Sequence, residues 1–218
     1  MEARRSPRTI TEEVYQDIRL KILQNKFAPN EHLVERRLAE LYGVSKTPVR
    51  EAITRLERDG LVKFISLKGA VVRRLEKPEI IQILDIREYL EALAGRKAAE
   101  RSRSSVFIKE IEAAHALSLR YLDNIEEFQM HDRLLHTTIR KASGNQFLFD
   151  MSERLDDLFH IVLKTSMVLP TRGPSIAYME HEYVVRAIVA GNPDEAEEQS
   201  RRHIMAIRKS VEKFYNNQ

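Results

Sequence analysis

The stretch from Leu38 to Gly60, LAELYGVSKTPVREAITRLERDG, constrains the fold more than any other part of the sequence. It predicts two short helices joined by a tight turn, because Gly43 offers the left-handed backbone conformation that commonly ends a helix. Ser45 is the expected N-cap of the second helix, with its hydroxyl accepting a bond from a first-turn amide. Pro48 falls inside that turn, where a missing amide hydrogen costs least.

The second of these helices is amphipathic. Apolar residues recur at three- and four-residue spacing and predict one buried stripe, formed by Val49, Ala52, Ile53 and Leu56. The opposite face carries Lys46, Thr47, Arg50 and Arg55. Such a helix suits a DNA major groove, where phosphate contacts give affinity and base-edge contacts give selectivity. The alternative is an ordinary surface helix with a solvated charged face.

The elements around this pair favour the DNA-binding interpretation. Two strand-like runs, LVKFI (61–65) and AVVRRL (70–75), follow directly and predict a hairpin. Ahead of the pair, a first helix is expected to begin at an N-cap on Thr11 and to pack through Val14 and Ile18. Leu38, Ala39 and Leu41 are expected to form the apolar face of the helix that follows it. The order as a whole predicts a winged helix-turn-helix.

Residues 14–74 resemble the DNA-binding domain of the GntR family of bacterial transcription regulators. VYQDIRLKIL is similar to the first helix of that family, ERRLAELYGVSKTPVREAITRLERDGLV to its two central helices, and SLKGAVV to its wing. The resemblance implies DNA contacts from seven residues, namely Arg36, Ser45, Lys46, Thr47 and Arg50 on the helices and Lys68 and Gly69 at the wing tip.

Two positions depart from the family pattern. Lys46 stands where the family usually has arginine, and a lysine cannot make the planar bidentate contact to guanine. Asn30 follows Pro29 where the family favours Pro-Gly. Because asparagine tolerates a positive φ better than most residues, the turn is expected to persist.

Composition favours a mostly α-helical chain of two domains. The 218 residues include only seven glycines and seven prolines, and there are no cysteines, which excludes disulfides and thiolate metal sites. No apolar run approaches the ~20 residues that span a bilayer, so a cytoplasmic protein is expected. Residues 1–75 carry 16 Lys and Arg against 10 Asp and Glu, whereas the remainder carries 20 against 23. We therefore expect a basic DNA-binding domain over 9–75 and a second domain over 76–218.

The second domain is predicted to be an all-helical antiparallel bundle. Breaks at SRSS, Ser-Gly-Asn, Pro170–Pro174 and Gly-Asn-Pro divide it into helices over 78–101, 104–122, 125–142, 146–168, 174–190 and 194–215. The interior of such a bundle can house a ligand or a metal ion.

Four residues of this bundle form a candidate metal site. Asp132 and His136 are four residues apart and share one helix face, while His181 and His203 lie on the last two helices. One carboxylate and three imidazoles would suit zinc, with nickel, manganese or iron as alternatives, and would leave coordination positions open. The alternative is that these are separate polar residues or hydrogen-bonded core histidines.

A second resemblance covers this half of the chain. HDRLLHTTIRKASGN and EHEYVVRAIVAGNPDEAEEQSRRHI are similar to the FCD-type effector domain of the FadR subfamily of GntR regulators, and the helix count resembles the six-helix VanR branch. The resemblance implies a metal at Asp132, His136, His181 and His203. DIREYLEALAGRKAAE resembles the first helix of that domain, which implies that Arg87 faces an effector cavity. An exposed Arg87 paired with Glu91 at i+4 is the alternative.

These expectations describe a ligand-responsive, sequence-specific transcription regulator, a repressor of a metabolic operon rather than an enzyme. A homodimer would bind an inverted repeat in double-stranded DNA, and a small organic acid would be the effector. The metal is expected to complete the effector site; alternatively it is structural or is itself the signal. A metal-dependent hydrolase built on the bundle, and a helical half that only dimerises, are the remaining alternatives.

Overall fold

The structure, a computed structural model, describes residues 9–102, 105–165 and 168–216. Its internal contacts separate into two compact units, Met1–Leu75 and Glu76–Gln218. In the ranges just given, the first unit holds three helices and a two-stranded sheet, and the second unit holds helices without a strand. The predicted fold class, mostly α with a winged helix-turn-helix followed by a helical bundle, is confirmed.

The first unit has the element order of a winged helix. Its elements are α1 Ile10–Leu23, α2 Glu35–Tyr42, α3 Lys46–Arg58, β1 Val62–Ile65 and β2 Gly69–Val72. The N-cap of α1 is Thr9, whose hydroxyl accepts from the amide of Glu12, so the expected cap at Thr11 was wrong. Gly43 ends α2 with a φ of 64°, as predicted. Ser45 caps α3 by backbone position alone, since its hydroxyl makes no capping bond, contrary to expectation.

The wing is an antiparallel hairpin. Its register runs from Val62 opposite Val72 to Ile65 opposite Gly69, so Gly69 belongs to β2 rather than to the connecting turn. The pairing ends at Val72, earlier than the predicted run to residue 75. The edge of β2 also receives the loop before α2, because the amide of Asn30 donates to the carbonyl of Val72 at 2.9 Å. Asn30 has a φ of 67°, which confirms the expected turn.

The core of the first unit lies between α1 and α3. The predicted stripe of α3 is fully buried, and it packs with buried residues of α1, which are Val14, Tyr15, Ile18, Ile22 and Leu23. Arg55 was expected on the outer face of α3, but its guanidinium lies over the ring of Tyr15 at 3.9 Å and pairs with Glu12. It therefore fastens α3 to α1. Leu41 is 61% exposed and does not join the core, unlike Leu38.

The second unit contains six α-helices in its described part, the number predicted. They are α4 Lys77–Glu100, α5 Ser105–Ser118, α6 Ile125–Ala142, α7 Gln146–Thr165, α8 Val168–Val189 and α9 Pro193–Asn216, with a short 3₁₀ helix Leu119–Tyr121 after α5. The break predicted over 170–174 falls within α8 at Gly173, whose backbone is not helical. The predicted helix start at 104 lies outside the described residues, whereas the predicted end of the fourth bundle helix at 168 was too late, because α7 ends at Thr165 and Val168 begins α8.

Helix α4 runs along α9 at unusually close range. A Cβ placed on Gly95 would lie 2.4 Å from Oγ of Ser200 and 2.9 Å from the backbone oxygen of Ala196. The buried core beside this contact is rich in alanine and includes Ala94, Ala98, Ala99 and Ala196. Small residues thus let the helices approach closely and bring their polar side chains together inside the bundle. None of the helices in the described ranges is long and apolar enough to span a membrane.

Candidate metal centre and DNA-binding surface

Three histidines from three helices converge in the second unit. His136 comes from α6, His181 from α8 and His203 from α9, and all three are buried, with their candidate ligand atoms within 4.8 Å of one another. The Nε2 atoms of His181 and His203 are 3.2 Å apart. Two nitrogens bound tetrahedrally to zinc at ~2.05 Å would be separated by roughly 3.3 Å, which is nearly the spacing observed.

Carboxylates on the outer side of two of these rings fix which nitrogen carries the proton. Oε2 of Glu91 lies 3.1 Å from Nδ1 of His136, and Oε2 of Glu180 lies 2.8 Å from Nδ1 of His203. Despite burial, Arg140 and His136 hold the pKa of Glu91 well below its usual range, so this carboxylate only accepts. In a neutral ring the proton then sits on Nδ1 and the lone pair on Nε2. Histidine ligands of metals are typically oriented in this way.

Nε2 of His136 is the clearest sign of a site for an added group. It is buried and has no hydrogen-bond partner in the described part of the chain. An imidazole nitrogen left without a partner in the interior is costly unless something else uses its lone pair. The donor set of three imidazoles therefore fits a divalent metal ion.

Asp132 adjoins the histidine cluster at His181. Its Oδ1 lies 3.4 Å from Nε2 of His181, whereas the set of mutually close ligand atoms contains the three histidines alone. Burial raises the pKa of Asp132, although Arg87 and His136 act in the opposite direction. The i+4 spacing correctly placed Asp132 and His136 on one side of α6, facing the other two histidines.

Beside the histidines lies a buried network of two arginines and two carboxylates. Arg140, with no exposed surface, donates to both oxygens of Asp156 at 2.6 and 3.0 Å. Its Nε donates to Oε1 of Glu91 at 3.0 Å, so Arg140 links α4, α6 and α7. The buried members of the network balance two positive and two negative charges, which is what makes such burial tolerable, and the partly exposed Glu153 also lies 3.4 Å from Nη1 of Arg140.

Arg87 is the fourth member of this network. Its side chain is buried, with Nη1 at 3.2 Å from Oδ1 of Asp156 and Nε at 3.7 Å from Oε1 of Glu91. Its guanidinium lies 3.9 Å above the ring of Phe159. Arg87 is therefore an interior residue, which excludes the alternative of an exposed arginine, although the contact with Glu91 that this alternative included is present.

Two small cavities adjoin these groups. One, of about 20 Å³, is lined by Arg87, Asp132, Asp156 and Phe159 among others. The second, of about 10 Å³, is lined by the three histidines, Glu91, Ser200 and three apolar residues. Each has room for about one water molecule.

Sequence reasoning missed several residues of this site. Arg140 follows His136 by four residues, so it extends the stripe of Asp132 and His136 along α6, and that spacing could have identified it. Glu180 is next to His181 but acts on His203, a pairing that only the packing of α8 on α9 reveals. Asp156 carried no signal, because its neighbour Asp157 is chemically identical and helix α7 offers several other acidic positions.

The seven residues suggested as DNA contacts are all exposed in the first unit. They are Arg36 on α2, Ser45, Lys46, Thr47 and Arg50 at the start of α3, and Lys68 and Gly69 at the wing. Arg50 forms a bidentate pair with Glu35, with Nη2 at 2.8 Å from Oε2 and Nε at 3.0 Å from Oε1. The hydrogen bonds from Arg50 lower the pKa of Glu35.

A histidine that the sequence did not single out holds the wing. Nδ1 of His32 lies 3.0 Å from the carbonyl oxygen of Lys68, and His32 also bridges to Val71 of β2. Leu67 occupies the turn with a φ of 64° and a fully exposed side chain. The wing tip is thus tied to the loop before α2, beside the helix pair.

Comparison with known families identifies both units. The model of bacterial regulatory proteins of the gntR family matches residues 10–72, and the FCD domain model matches residues 82–206. This chain belongs to the GntR family and carries an FCD domain. This chain is 27% identical over 199 residues to the HTH-type transcriptional repressor GlaR of Escherichia coli. The alignment covers 88% of this chain and 90% of GlaR.

Two further relatives agree. The HTH-type transcriptional repressor RspR of Escherichia coli is 24% identical over 208 residues, covering 93% of this GntR chain and 89% of RspR. The solved structure of E. coli McbR/YncC has the same fold, with a TM-score of 0.76 and 20% identity over 96% of this chain and 99% of that one. The chain is accordingly a transcription regulator with a DNA-binding domain and an effector-binding domain. These relatives lend no support to the alternative of a metal-dependent enzyme.

Proposed function

We propose that this GntR regulator is a homodimeric repressor of a metabolic operon, which binds an inverted repeat and responds to a small organic acid. The observation that carries the proposal is the buried histidine cluster beside Arg87. Nε2 of His136 has no partner in the described residues, while Nδ1 of the same ring is held by Glu91. A side-chain arrangement of this kind serves ligand binding better than it serves folding.

His136, His181, His203 and Asp132 would hold a divalent metal ion. Zinc suits three imidazoles and a carboxylate best, with nickel, manganese or iron as alternatives. The bound ion would supply an electrophilic position for a carboxylate oxygen of the effector. Glu91 and Glu180 keep His136 and His203 oriented with Nε2 facing inward, so the ligand geometry is set before any ion arrives.

Arg87 would bind the carboxylate of the effector by charge-assisted hydrogen bonds. Arg87 lines the same cavity as Asp132, so a ligand in that cavity could contact both the guanidinium and the proposed metal ligand. Because that cavity has room for about one water, an organic acid can enter only if α6 and α7 move apart. The effector thus favours a second arrangement of the bundle, and typical couplings of ~1–3 kcal/mol would then change DNA affinity.

In the DNA-binding domain, the start of α3 would enter the major groove. Arg50 and Lys46 are the candidates for base contacts, whereas Ser45 and Thr47 lie at a helix N-terminus suited to phosphate. The hydroxyl of Ser45, which makes no capping bond, remains available as a donor. Arg36, Lys68 and Gly69 would contact the backbone or the adjacent minor groove.

Selection of fragmented genomic DNA on the purified protein tests the regulator function. The selection is done at physiological salt, where non-specific phosphate binding is suppressed. We expect enrichment of fragments that share an inverted repeat, and protection of two half-sites by one dimer. Recovery of only salt-sensitive background, with or without added zinc, would contradict operator binding.

Chelation separates the roles of the metal. If the metal completes the effector site, chelation abolishes the response to carboxylates while operator binding by the free protein persists. If the metal is structural, chelation lowers stability and operator binding together. If it is the signal, chelation alone shifts operator affinity without any organic acid. A helical domain that only dimerises would show none of these effects.

A further inference from the structure

Arg140 is the most deeply buried charge in the described chain, yet it faces neither the histidine cluster nor the cavity beside Arg87. It lines neither of the two cavities, and its three donor nitrogens are directed at carboxylates of α4 and α7. Its neighbours Glu91 and Asp156 are the same two carboxylates that contact Arg87. The two arginines therefore share one pair of acidic partners, and the sharing is uneven.

The distances show which arginine holds the carboxylates. Arg140 donates at 2.6 and 3.0 Å to Asp156 and at 3.0 Å to Glu91. Arg87 lies 3.2 Å and 3.7 Å from the same two side chains, and its Nε and Nη1 form no hydrogen bond in the described residues. A buried guanidinium with two donors unused is expensive unless a ligand uses them.

We infer that Arg140 is a positioning residue for the effector site: by binding Glu91 and Asp156 itself, it keeps the donors of Arg87 available for an incoming carboxylate. Without Arg140, the two buried carboxylates would turn to the nearest cation, which is Arg87. The site would then be closed by its own acidic residues. This inference rests on the proposed function, because it assumes that Arg87 receives the effector.

Arg140 also acts on the metal side through Glu91. Oε1 of Glu91 accepts from Arg140 while Oε2 faces Nδ1 of His136. One carboxylate is thereby divided between an arginine and a histidine, and the arginine fixes which oxygen faces the ring. Arg140 thus connects the proposed carboxylate position and the proposed metal position without touching either ligand.

The test uses the zinc-loaded full chain and four carboxylates, namely acetate, lactate, malonate and citrate. Thermal shift identifies the one that binds best, and titration calorimetry measures its affinity for parent and variants. We expect Arg140→Gln to weaken that affinity by about tenfold or more, as expected when one charge-assisted bond is lost, while the zinc content per chain is retained. Arg140→Lys should retain much of the affinity, because it keeps a cation between the two carboxylates.

A double variant distinguishes positioning from simple loss of structure. In Arg140→Gln combined with Asp156→Asn, the carboxylate that lies nearer to Arg87, at 3.2 Å against 3.7 Å for Glu91, is removed together with the arginine that restrained it. We expect this pair to recover carboxylate affinity to within about threefold of the parent, a non-additive result typical of residues in one network. Arg201→Gln is the matched control, because it removes an arginine bound to Glu88 between α9 and α4, outside both cavities.

The outcomes are distinguishable. If the parent binds zinc but none of the four carboxylates, the proposed effector site fails and this inference fails with it. If the parent binds a carboxylate and Arg140→Gln binds it equally well, only the positioning role is overturned. If the double variant is weaker than Arg140→Gln, Arg140 serves stability alone. An insoluble Arg140→Gln leaves the Arg140→Lys and double-variant affinities to decide.

Discussion

At the scale of single residues, the DNA-binding domain and the candidate metal centre use side chains in opposite ways. Arg50 and Lys68 stand in solvent, where each contact is worth little until DNA displaces the water. His136 and His203 are buried, and a carboxylate contacts Nδ1 of each ring. The free energy needed to bury and orient these rings is therefore spent when the protein folds. Substitutions in the DNA-binding domain should consequently change operator affinity, whereas substitutions in the histidine cluster should change zinc content and thermal stability.

For the DNA surface we compare Arg50→Ala with Lys68→Ala. Loss of a base-reading arginine should weaken operator binding by about 1–3 kcal/mol and relax selectivity at one position of each half-site. Loss of a phosphate-binding lysine should weaken binding to all sequences alike and lower the salt slope by about one. Fluorescence anisotropy with operator and scrambled duplexes at several salt concentrations gives both quantities. Unchanged operator affinity of Arg50→Ala would remove α3 as the reading helix, and sedimentation should show intact assembly in both variants.

For the metal centre we compare His203→Ala with His131→Ala. His203→Ala should lower zinc content and abolish the rise in melting temperature that zinc gives, since binding at 100 times Kd stabilises a fold by about 2.7 kcal/mol. His131 is a fair control because it neighbours Asp132 in the chain but stacks on Tyr121 at 4.5 Å. Equal zinc content in the parent and His203→Ala, measured by elemental analysis, would refute the site.

At the scale of elements, the sequence predicted helices better than it predicted what they touch. The α3 stripe and the six helices of the bundle followed from apolar periodicity and from Gly and Pro breaks, which are local signals. The caps at Thr11 and Ser45 were misjudged, because hydroxyls compete for several amides over one or two residues. Arg55 was misplaced since nothing local indicates that Tyr15 of α1 provides a ring beneath it.

Local sequence signals were limited in the same way for the candidate metal centre and the cavity beside Arg87. Four candidate ligands could be named from residue type and spacing, but burial of Arg87 and its partnership with Asp156 depend on how α4 meets α7. The second strand of the wing is shorter than predicted for a comparable reason. Residues after Val72 have strand-like composition, yet the register with β1 ends at Val62 opposite Val72, and it is followed by a single turn-out bond from the amide of Arg73 to the carbonyl of Leu61. Tertiary partners, which a single sequence does not display, decided each of these points.

The α4–α9 contact gives a prediction at this scale. Replacing glycine by alanine inside a helix usually gains ~1 kcal/mol, but Gly95→Ala would press a methyl group against Ser200 and the backbone oxygen of Ala196. Serine can rotate away, whereas the backbone cannot, and overpacking costs about 1–3 kcal/mol. We expect a lower free energy of unfolding, with urea denaturation as the measurement.

Two further variants calibrate that result. Gly95→Ala in a Ser200→Ala background should regain only part of the loss, because the Ala196 oxygen remains. Lys97→Ala removes a half-exposed side chain that pairs with Glu100 within α4, and it should change stability by no more than ~0.5 kcal/mol. A stabilised Gly95→Ala would mean that α4 and α9 can separate more easily than their packing suggests.

At the scale of the whole molecule, stability should depend on pH through the buried ionic network. Although burial raises the pKa of Asp156, Arg87 and Arg140 outweigh it and hold that pKa below its ordinary value. A lowered carboxyl pKa stabilises the fold above the unfolded value of ~4, and that contribution is lost as the pH falls through the folded value. The protein without metal should therefore lose unfolding free energy steeply below about pH 4.

Asp156→Asn tests this pH dependence. The variant should be less stable at pH 7, where Arg140 loses a buried ionic partner, and should lose less further stability between pH 7 and pH 3 than the parent. Denaturation in the presence of a chelator keeps metal release from contributing. Asp194→Asn is the control, because Asp194 pairs with Arg96 at the surface, where its side chain is 85% exposed. Parallel pH profiles for parent and Asp156→Asn would contradict a role for this carboxylate in acid stability.

Helix α7 supplies none of the proposed metal ligands, yet it supplies Asp156 and Phe159 to the cavity beside Arg87. The part of the pocket that would distinguish one acid from another is thus carried on a different helix from the part that would hold the ion. Under the proposed function, substitutions on α7 that spare Asp156, such as those of Phe159, would alter which compound is recognised without changing a proposed metal ligand or the DNA-binding domain. Gene duplication followed by change in a single helix would then be enough to give a paralogue with a new inducer.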